Sequence, residues 1–350
     1  MIEPELAPCT AITPGRGDLI GTLVRPSQHE NRRRISAVLL ASAVLLLASS
    51  ALAQRVQLGA EGVVQSENLG RAFETFSIFG GTPGIAAARY YSEFQLNSFQ
   101  LPITHTFEPI EVGQFASVAP YAEVTLGYLT GDQTFSLVPS PTTPTSVKLS
   151  FDSWSALAGG GLELRFGDGF RLRPIVLAGY AHVGGDATFT GPNSAFFRTA
   201  VHGILSDAAL NTALLGGALE LVYDTTFPGD LTLTARARYN EVAAIVTSAT
   251  DPSLKQNGSF GVATASVTLD GPTDWRIATH AVRWLGYVRG TGLPSTNRDI
   301  LGFNSFAEIG GGLQLIAPDV IRGVQGGTVR ASAIVGPGVT GWLVGAALNF

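Results

Sequence analysis

Charge, cysteine and long apolar runs are all scarce in this chain, and each scarcity closes off a class of protein. The single cysteine, Cys9, has no partner within the chain, so no internal disulfide forms and no paired-cysteine metal site exists. Only 14% of residues are charged against 45% hydrophobic, with a formal net charge of -5 and a pI near 5.6. Lys148 and Lys255 are the only lysines after residue 53. Without a basic excess to neutralise phosphates, nucleic acid is not expected as a partner. After Ala53 no apolar run reaches the roughly 18 residues of a membrane-spanning helix. Mean hydropathy is nevertheless positive at +0.25, so the apolar residues follow another pattern.

One compact run does stand near the start. In "NRRRISAVLLASAVLLLASSALAQ", Arg32, Arg33 and Arg34 precede an apolar core that closes on Ala51-Leu52-Ala53. Residues 31–53 read as a signal peptide, with cleavage expected before Gln54 and the export machinery as a partner. No cysteine follows the site, so lipoprotein processing is not expected. Residues 1–30 show neither helical nor strand periodicity and read as an upstream extension from a misassigned start. Met1 is the only methionine, so the true start is expected at a non-Met codon near Leu23 or Val24.

The chain ends in "GWLVGAALNF", where Trp342, Val344, Ala346, Leu348 and Phe350 alternate with small or polar residues. That is the period of a strand. The same template finds about twelve segments: 85–96, 99–107, 117–129, 151–166, 170–182, 211–224, 231–246, 258–270, 274–289, 303–316, 326–336 and 339–350. Their connections sort by length. Turns are expected at Gly167-Asp168-Gly169, Phe227-Pro228-Gly229-Asp230, Asp270-Gly271-Pro272-Thr273 and Ala317-Pro318-Asp319. Longer polar links lie at 130–150, 183–210, 247–257 and 290–302. Short turns at one end and long loops at the other are the pattern of an all-β, antiparallel transmembrane barrel of about 12 strands.

Strand length agrees. Trp154 with Phe166, and Phe170 with Tyr180, bracket runs that at roughly 3.3 Å per residue and a tilt near 45° span about 23 to 28 Å. Ala156, Ala158, Leu162, Leu164, Leu172, Val176 and Ala178 are read as the lipid face. The opposite faces carry Glu123, Glu163, Arg165, Arg171, Arg173, Glu220, Arg236, Arg238, Glu308, Gln314 and Arg330, read as lining a polar lumen of mixed sign. A charge on the lipid face costs about 2 to 4 kcal/mol at the midplane, which forces these side chains inward. A turn at Asp168 sets Glu163 opposite Arg173, an expected ion pair.

Residues 81–350 would form this barrel. Residues 54–80 are read as a helix within the lumen, with a periplasmic tail or an extra strand as alternatives; if 69–79 join the sheet the strand count changes by two. In "SAFFRTAVHGILSDAAL", residues 194–210, Phe197, Val201, Ile204, Leu205 and Ala208 have helical spacing after Pro192-Asn193-Ser194, which predicts a short helix in an external loop.

The signal peptide, the twelve alternating segments and the terminal "GWLVGAALNF" resemble the translocator barrel of autotransporters, and particularly solitary autotransporter-like barrels without a secreted passenger. The resemblance implies an outer-membrane location, outer-membrane lipid as surroundings, and recognition of Trp342, Val344, Ala346, Leu348 and Phe350 by the barrel-assembly machinery. The chain departs from the full family. About 27 residues separate Gln54 from the first expected strand, leaving no passenger, and Asn68 stands alone where some members cleave at paired asparagines.

Some twelve-stranded outer-membrane barrels are rim enzymes, so candidate chemistry is weighed against this reading. His202 and Ser206 stand four apart with Asp207 adjacent, a spacing that would share one helix face. Nothing supplies an oxyanion site. His105, His182, His202 and His280 are scattered, without His-x-x-x-His, so no metal is expected. Gly159 to Gly161, Gly216-Gly217 and Gly310 to Gly312 lack a phosphate-loop pattern and are read as strand glycines that relieve crowding. No cofactor is expected. Asn257-Gly258-Ser259 is an incidental sequon. The function read from the sequence is a structural or pore-forming barrel without catalysis; the alternatives are a rim enzyme of lipase or protease type and a binding or adhesion scaffold using the loops at 130–150 and 183–210.

Overall fold

The computed structural model describes residues 74–349, except 84, 93–94, 113–115, 139–144, 168, 193, 201, 203–205, 295–297 and 322–323. The upstream extension, the signal peptide, residues 54–73, Asp168 and Phe350 lie outside the described residues. Thirteen strands follow in order: β1 (Arg89–Tyr91), β2 (Gln95–Thr106), β3 (Ile110–Glu111), β4 (Ala116–Val138), β5 (Thr145–Phe166), β6 (Phe170–Thr190), β7 (Ala208–Phe227), β8 (Leu231–Ala249), β9 (Gly258–Ile277), β10 (His280–Gly292), β11 (Ser305–Ile321), β12 (Val324–Gly336) and β13 (Val339–Asn349).

Every pairing among them is antiparallel, and the ring closes. Neighbours from β4 to β13 pair in sequence order, β13 pairs with β1, β1 with β2, and β2 with β4. The result is a closed twelve-strand barrel, with the two-residue β3 added beside the start of β4. Ring closure pairs every strand from β4 to β12 on both sides and confines what would be the free edges of a flat sheet to the narrow join at β1. We refer to the end with the hairpins at 167–169, 228–230 and 278–279 as the turn end, and to the opposite end as the loop end.

Period-two alternation governs which side chains enter the wall. In β6, Arg173, Ile175, Leu177, Ala181 and Val183 are buried, while Val176 and Tyr180 are exposed. In β13 Leu343 is buried between exposed Trp342 and Val344. The outward faces form an apolar surface that includes Leu126, Leu162, Val176, Leu215, Leu219, Val267, Val288, Ile309 and Val329. Exposed aromatic rings stand toward its two limits, Tyr128, Trp154, Tyr180 and Trp342 on the loop side and Phe166, Phe170, Phe227 and Trp275 on the turn side.

Four expectations are corrected. The segment 85–96 is not one strand: only Arg89–Tyr91 pairs as β1, and residues 95–106 form β2. Asp270 to Thr273 is no turn but lies within β9. The register steps from Ala281↔Arg276 to Arg283↔Pro272, a bulge at which Thr273 donates to the Val282 carbonyl at 2.6 Å and accepts from the Trp275 amide at 3.1 Å. Pro272, which lacks an N–H, is accommodated at this irregularity, and the turn falls at Ala278–Thr279 with Ala278 at φ 56°. Ala317 to Asp319 likewise lies within β11, which continues to Ile321 and pairs there with Val324. The loop helix covers only Ser194–Ala200, and Ala208 opens β7.

The long links are shorter than their sequences imply, because strand pairing continues into them. β4 and β5 remain paired out to Val138↔Thr145. This extension has its own packing: Val183, Ala208, Leu210 and Leu254 form a small core, with Leu254 tucked in by the short 3-10 turn Pro252–Leu254 under its Asp251 cap. By contrast, the β12–β13 link at the loop end is the two-residue turn Pro337–Gly338, with Gly338 at φ 88°.

Candidate functional site: the barrel lumen

The interior is built in two tiers. Toward the loop end it is apolar and filled. Residues 74–79 form a helical turn inside the barrel, and Phe76, Ile78, Phe79, Ile85, Ala86 and Tyr90 are all buried. The Phe76 ring stacks on Phe151 of β5 with centroids 3.9 Å apart. Phe79 meets Tyr90 at 5.4 Å and Phe303 at 6.0 Å, and Tyr90 meets Phe306 at 5.4 Å. Polar tethers include Gln100 donating to the Gly80 carbonyl at 3.3 Å, Asn240 to Pro83 at 2.8 Å, and Tyr90 to Ala86 at 2.9 Å. Gly127 shows that the wall is shaped to this segment, since a Cβ there would overlap the Gly80 carbonyl.

Toward the turn end the interior is ionic. Arg238 forks onto Glu123 with contacts of 2.8 and 2.5 Å, and its Nε donates to Asn240 at 2.7 Å. Tyr121 donates to the same glutamate at 2.9 Å. Arg173 joins two acids, Glu163 at 2.6 Å through Nε and Glu220 at 2.9 Å through Nη1, and lies over the Tyr121 ring at 4.8 Å. Arg165 also binds Glu163 at 2.6 Å, and Arg236 reaches Glu220 at 3.2 Å. Arg171 pairs with Asp224, and Arg283 with Asp270 at 2.6 Å. Charge-assisted, forked contacts of this kind are the strong class of hydrogen bond, and here each buried glutamate of the tier has an arginine.

The structure places all eleven residues read as lumen-lining on inward-facing positions of their strands, but not in one continuous polar surface. Glu123, Glu163, Arg165, Arg171, Arg173, Glu220, Arg236 and Arg238 come together in the ionic tier. Glu308 lies apart in the apolar tier, fully buried, with Arg289 at 3.8 Å. Arg330 sits over the Tyr287 ring at 5.7 Å, and Gln314 is half-buried on β11. The expectation of a polar lumen throughout is therefore corrected: the loop-end half is apolar because an apolar segment of the same chain occupies it. Tyr121, Asp224, Asp270, Arg283 and Arg289 were missed; strand parity marks Tyr121 as sharing a face with Glu123 on β4 and Asp224 with Glu220 on β7, whereas no residue of β9 or β10 had been named to mark the other three. Of the terminal motif, Trp342, Val344 and Ala346 face outward on β13.

The His202 and Ser206 reading changes. Ser206 is fully buried and its hydroxyl donates to the Ala187 carbonyl at 3.0 Å, while His202 faces Asp207 at 3.5 Å on the exposed surface. The two residues meet only as a backbone bridge. A nucleophile needs its base within hydrogen-bond reach, and the Ser206 proton is directed elsewhere. Replacing either residue with alanine is expected to leave any ester or peptide hydrolysis by the purified protein unchanged; a loss of more than about tenfold in initial rate would reverse that conclusion. Among the described residues no group of three His, Cys, Asp or Glu comes together.

No protein-family model matches the chain, and no curated protein sequence matches it. Solved autotransporter barrels resemble it. The β domain of the Bordetella autotransporter BrkA is 12% identical, covering 75% of this chain and 96% of that one, with a TM-score of 0.42. The translocator domain of NalP from Neisseria meningitidis is 14% identical, covering 75% and 85%, with a TM-score of 0.39. The transport unit of AIDA-I from Escherichia coli is 12% identical, covering 80% and 95%, with a TM-score of 0.43.

Proposed function

We propose that this chain forms an outer-membrane barrel of autotransporter-translocator type that serves as a non-catalytic, self-occluded pore. The observation that carries this reading is the filled lumen: residues 74–90 pack an apolar stopper into the loop-end half, above a ring of paired arginines and glutamates. An outward apolar face bounded by aromatic rings supports insertion in lipid. The ionic tier supports a wetted vestibule open toward the turn end, and the cleaved signal expected from residues 31–53 supports export.

Two measurements test it. Residues 54–350 refolded in a planar bilayer are expected to be silent, whereas a version beginning at Gly81, lacking the 74–79 turn, is expected to give discrete current steps. Steps from the first, or silence from both, would reject self-occlusion. Membrane insertion is tested separately by Val176→Arg. Val176 is 73% exposed on β6 between the outward aromatics Phe170 and Tyr180, so the change is expected to cost about 2 to 4 kcal/mol in lipid, read as a lowered urea midpoint for the folded band on a gel. An unchanged midpoint would place that face outside the apolar band.

A second reading, an external binding scaffold, is favoured by the packed extension around Leu254 and Val183, which gives the loop end a fixed surface. Deleting the loop helix Ser194–Ala200 is then expected to abolish adhesion to whole cells without altering barrel folding.

A further inference from the structure

Among the described residues, the wall between β2 and β13 is incomplete beyond its first rungs. β1 meets β13 through Arg89↔Trp342, Tyr90↔Gly341 and Tyr91↔Thr340, and meets β2 through Arg89↔Asn97, Tyr90↔Leu96 and Tyr91↔Gln95. One further rung follows, where Ala88 and Ser98 exchange backbone hydrogen bonds of 2.8 Å. Past it, among the described residues, no strand pairs with the β2-facing edge of Leu343–Asn349 or with the β13-facing edge of Phe99–Thr106. On their other sides both stretches are fully paired, with β12 and β4. This seam begins just past Trp342 and runs to the turn end, within the span the apolar surface covers. In hydrocarbon nothing replaces the missing backbone hydrogen bonds, so such an edge demands an occupant.

The geometry restricts that occupant. β2 and β13 both run from the loop end to the turn end, so they cannot complete each other in antiparallel register. The missing piece must run the other way, as the chain does on entering β1. We infer that Thr82, Pro83 and Ile85 to Ala87 have two positions, one tucked in the lumen as here and one zipped into the seam as a continuation of β1, so that sealing the wall and filling the lumen compete for the same residues. This rests on the self-occlusion reading above.

Register and chemistry both fit. Continuing the β1 pairing residue by residue sets Ala88 against Leu343, Ile85 against Ala346 and Thr82 against Asn349; on the other side it sets Ile85 against Leu101 and Thr82 against Thr104. The segment therefore reaches the last residue of β13. Because Tyr90 points inward, Thr82, Ala86 and Ala88 would face the lumen, and Pro83, Ile85 and Ala87 would face out. Ile85, now buried, would join exposed Leu101 and Ala346 on the apolar surface. Pro83 would fall near the strand's beginning, where a missing N–H is tolerated. In the tucked position Ile85 and Ala86 pack in the apolar core, and the side-chain hydrogen bonds run from Asn240 to the Pro83 carbonyl, from Tyr90 to Ala86, and from Thr82 to Ile78 at 2.7 Å. Moving Thr82, Pro83 and Ile85 to Ala87 into the wall releases these bonds and draws the 74–79 turn away from Phe151.

Disulfide trapping tests this directly in a Cys9→Ser background. Ile85→Cys with Ala346→Cys places the two cysteines directly opposite in the zipped register, about 5 Å apart at Cβ, whereas Ile85→Cys with Val344→Cys is a diagonal pair about 7 Å apart. In vesicles under mild oxidant, the first pair is expected to cross-link at least about fivefold faster than the second. Ile85→Cys with Leu101→Cys reads the other side of the seam and serves if the first pair does not fold. Equal cross-linking of the opposite and diagonal pairs, in protein whose heat-dependent gel shift shows a folded barrel, would overturn the proposal. Conductance separates this from the parent reading. Current steps after cross-linking 85 to 346, lost on reduction, support both; efficient cross-linking in a barrel that conducts whether oxidised or reduced supports the zipped strand and rejects self-occlusion.

Discussion

Replacing Phe79 with aspartate is expected to turn a silent barrel into a conducting one. Phe79 is fully buried, and its ring lies between Tyr90 and Phe303 in the apolar tier. Truncating such a ring to alanine typically costs about 3 to 5 kcal/mol. A carboxylate adds the penalty of a charge without a partner, since the arginines of the ionic tier are already engaged with Glu123, Glu163 and Glu220. That cost falls on the packing of residues 74–90 rather than on the ring of strands, whose backbone pairing from β4 to β13 does not involve the segment. The expected result is discrete single-channel steps from Phe79→Asp with the heat-dependent gel shift intact. A folded but silent Phe79→Asp would mean that the stopper is held by something other than its apolar contacts.

Arg173→Ala is expected to be the most destabilising single change in the ionic tier. Arg173 is itself buried and is the shared partner of Glu163 and Glu220, which are 0% and 2% exposed. Removing it takes away the one buried partner the two carboxylates share and leaves Glu163 only Arg165 and Glu220 only Arg236, both more exposed, at a cost of up to about 3 to 5 kcal/mol. Lysine restores a charge but not the fork that spans two carboxylates, so Arg173→Lys should recover only part of the loss. Arg236 provides the comparison. It also contacts Glu220 but is half exposed, and its removal is expected to cost no more than about 1 kcal/mol. Urea midpoints for the three variants decide the matter, and equal midpoints for Arg173→Ala and Arg236→Ala would show that burial does not set the value of these pairs.

The two variants probe opposite halves of one interior, and their effects should be independent. Phe79 acts on the stopper and Arg173 on the wall, so conductance should respond chiefly to the first and stability chiefly to the second. Changes without shared partners usually add, and the double variant is expected to show both losses in full.

How much of this was legible in the sequence depended on how local the signal was. From β4 to β8 the alternation of apolar and polar residues identified the strands and their two faces, because a barrel wall obliges successive side chains to opposite sides whatever lies within it. The same logic brought Glu163 opposite Arg173 across the Gly167 to Gly169 hairpin, since a two-stranded register follows from a single turn. Asp270 to Thr273 misled because Gly and Pro chemistry marks irregular backbone without saying whether the chain reverses there or bulges; the ladder to β10 resolved it by pairing Pro272 with Arg283. The length of β1 was not legible at all. The segment read as a strand began at Ile85, and the tertiary structure instead tucks Ile85 to Ala87 inside. Their pattern satisfies an apolar lumen and an apolar wall equally, and only the packing of Phe76, Phe79 and Tyr90 against β5 and Phe303 and Phe306 decides between them. The sequence by itself determined the barrel, its strand faces and its inward charges, because these follow from a period of two repeated along the chain. The sequence left a lumen helix, a tail and an extra strand all open for residues 54–80; that residues 74–79 fill the loop-end half was decided by tertiary structure, because it depends on surfaces far apart in sequence meeting across a closed ring.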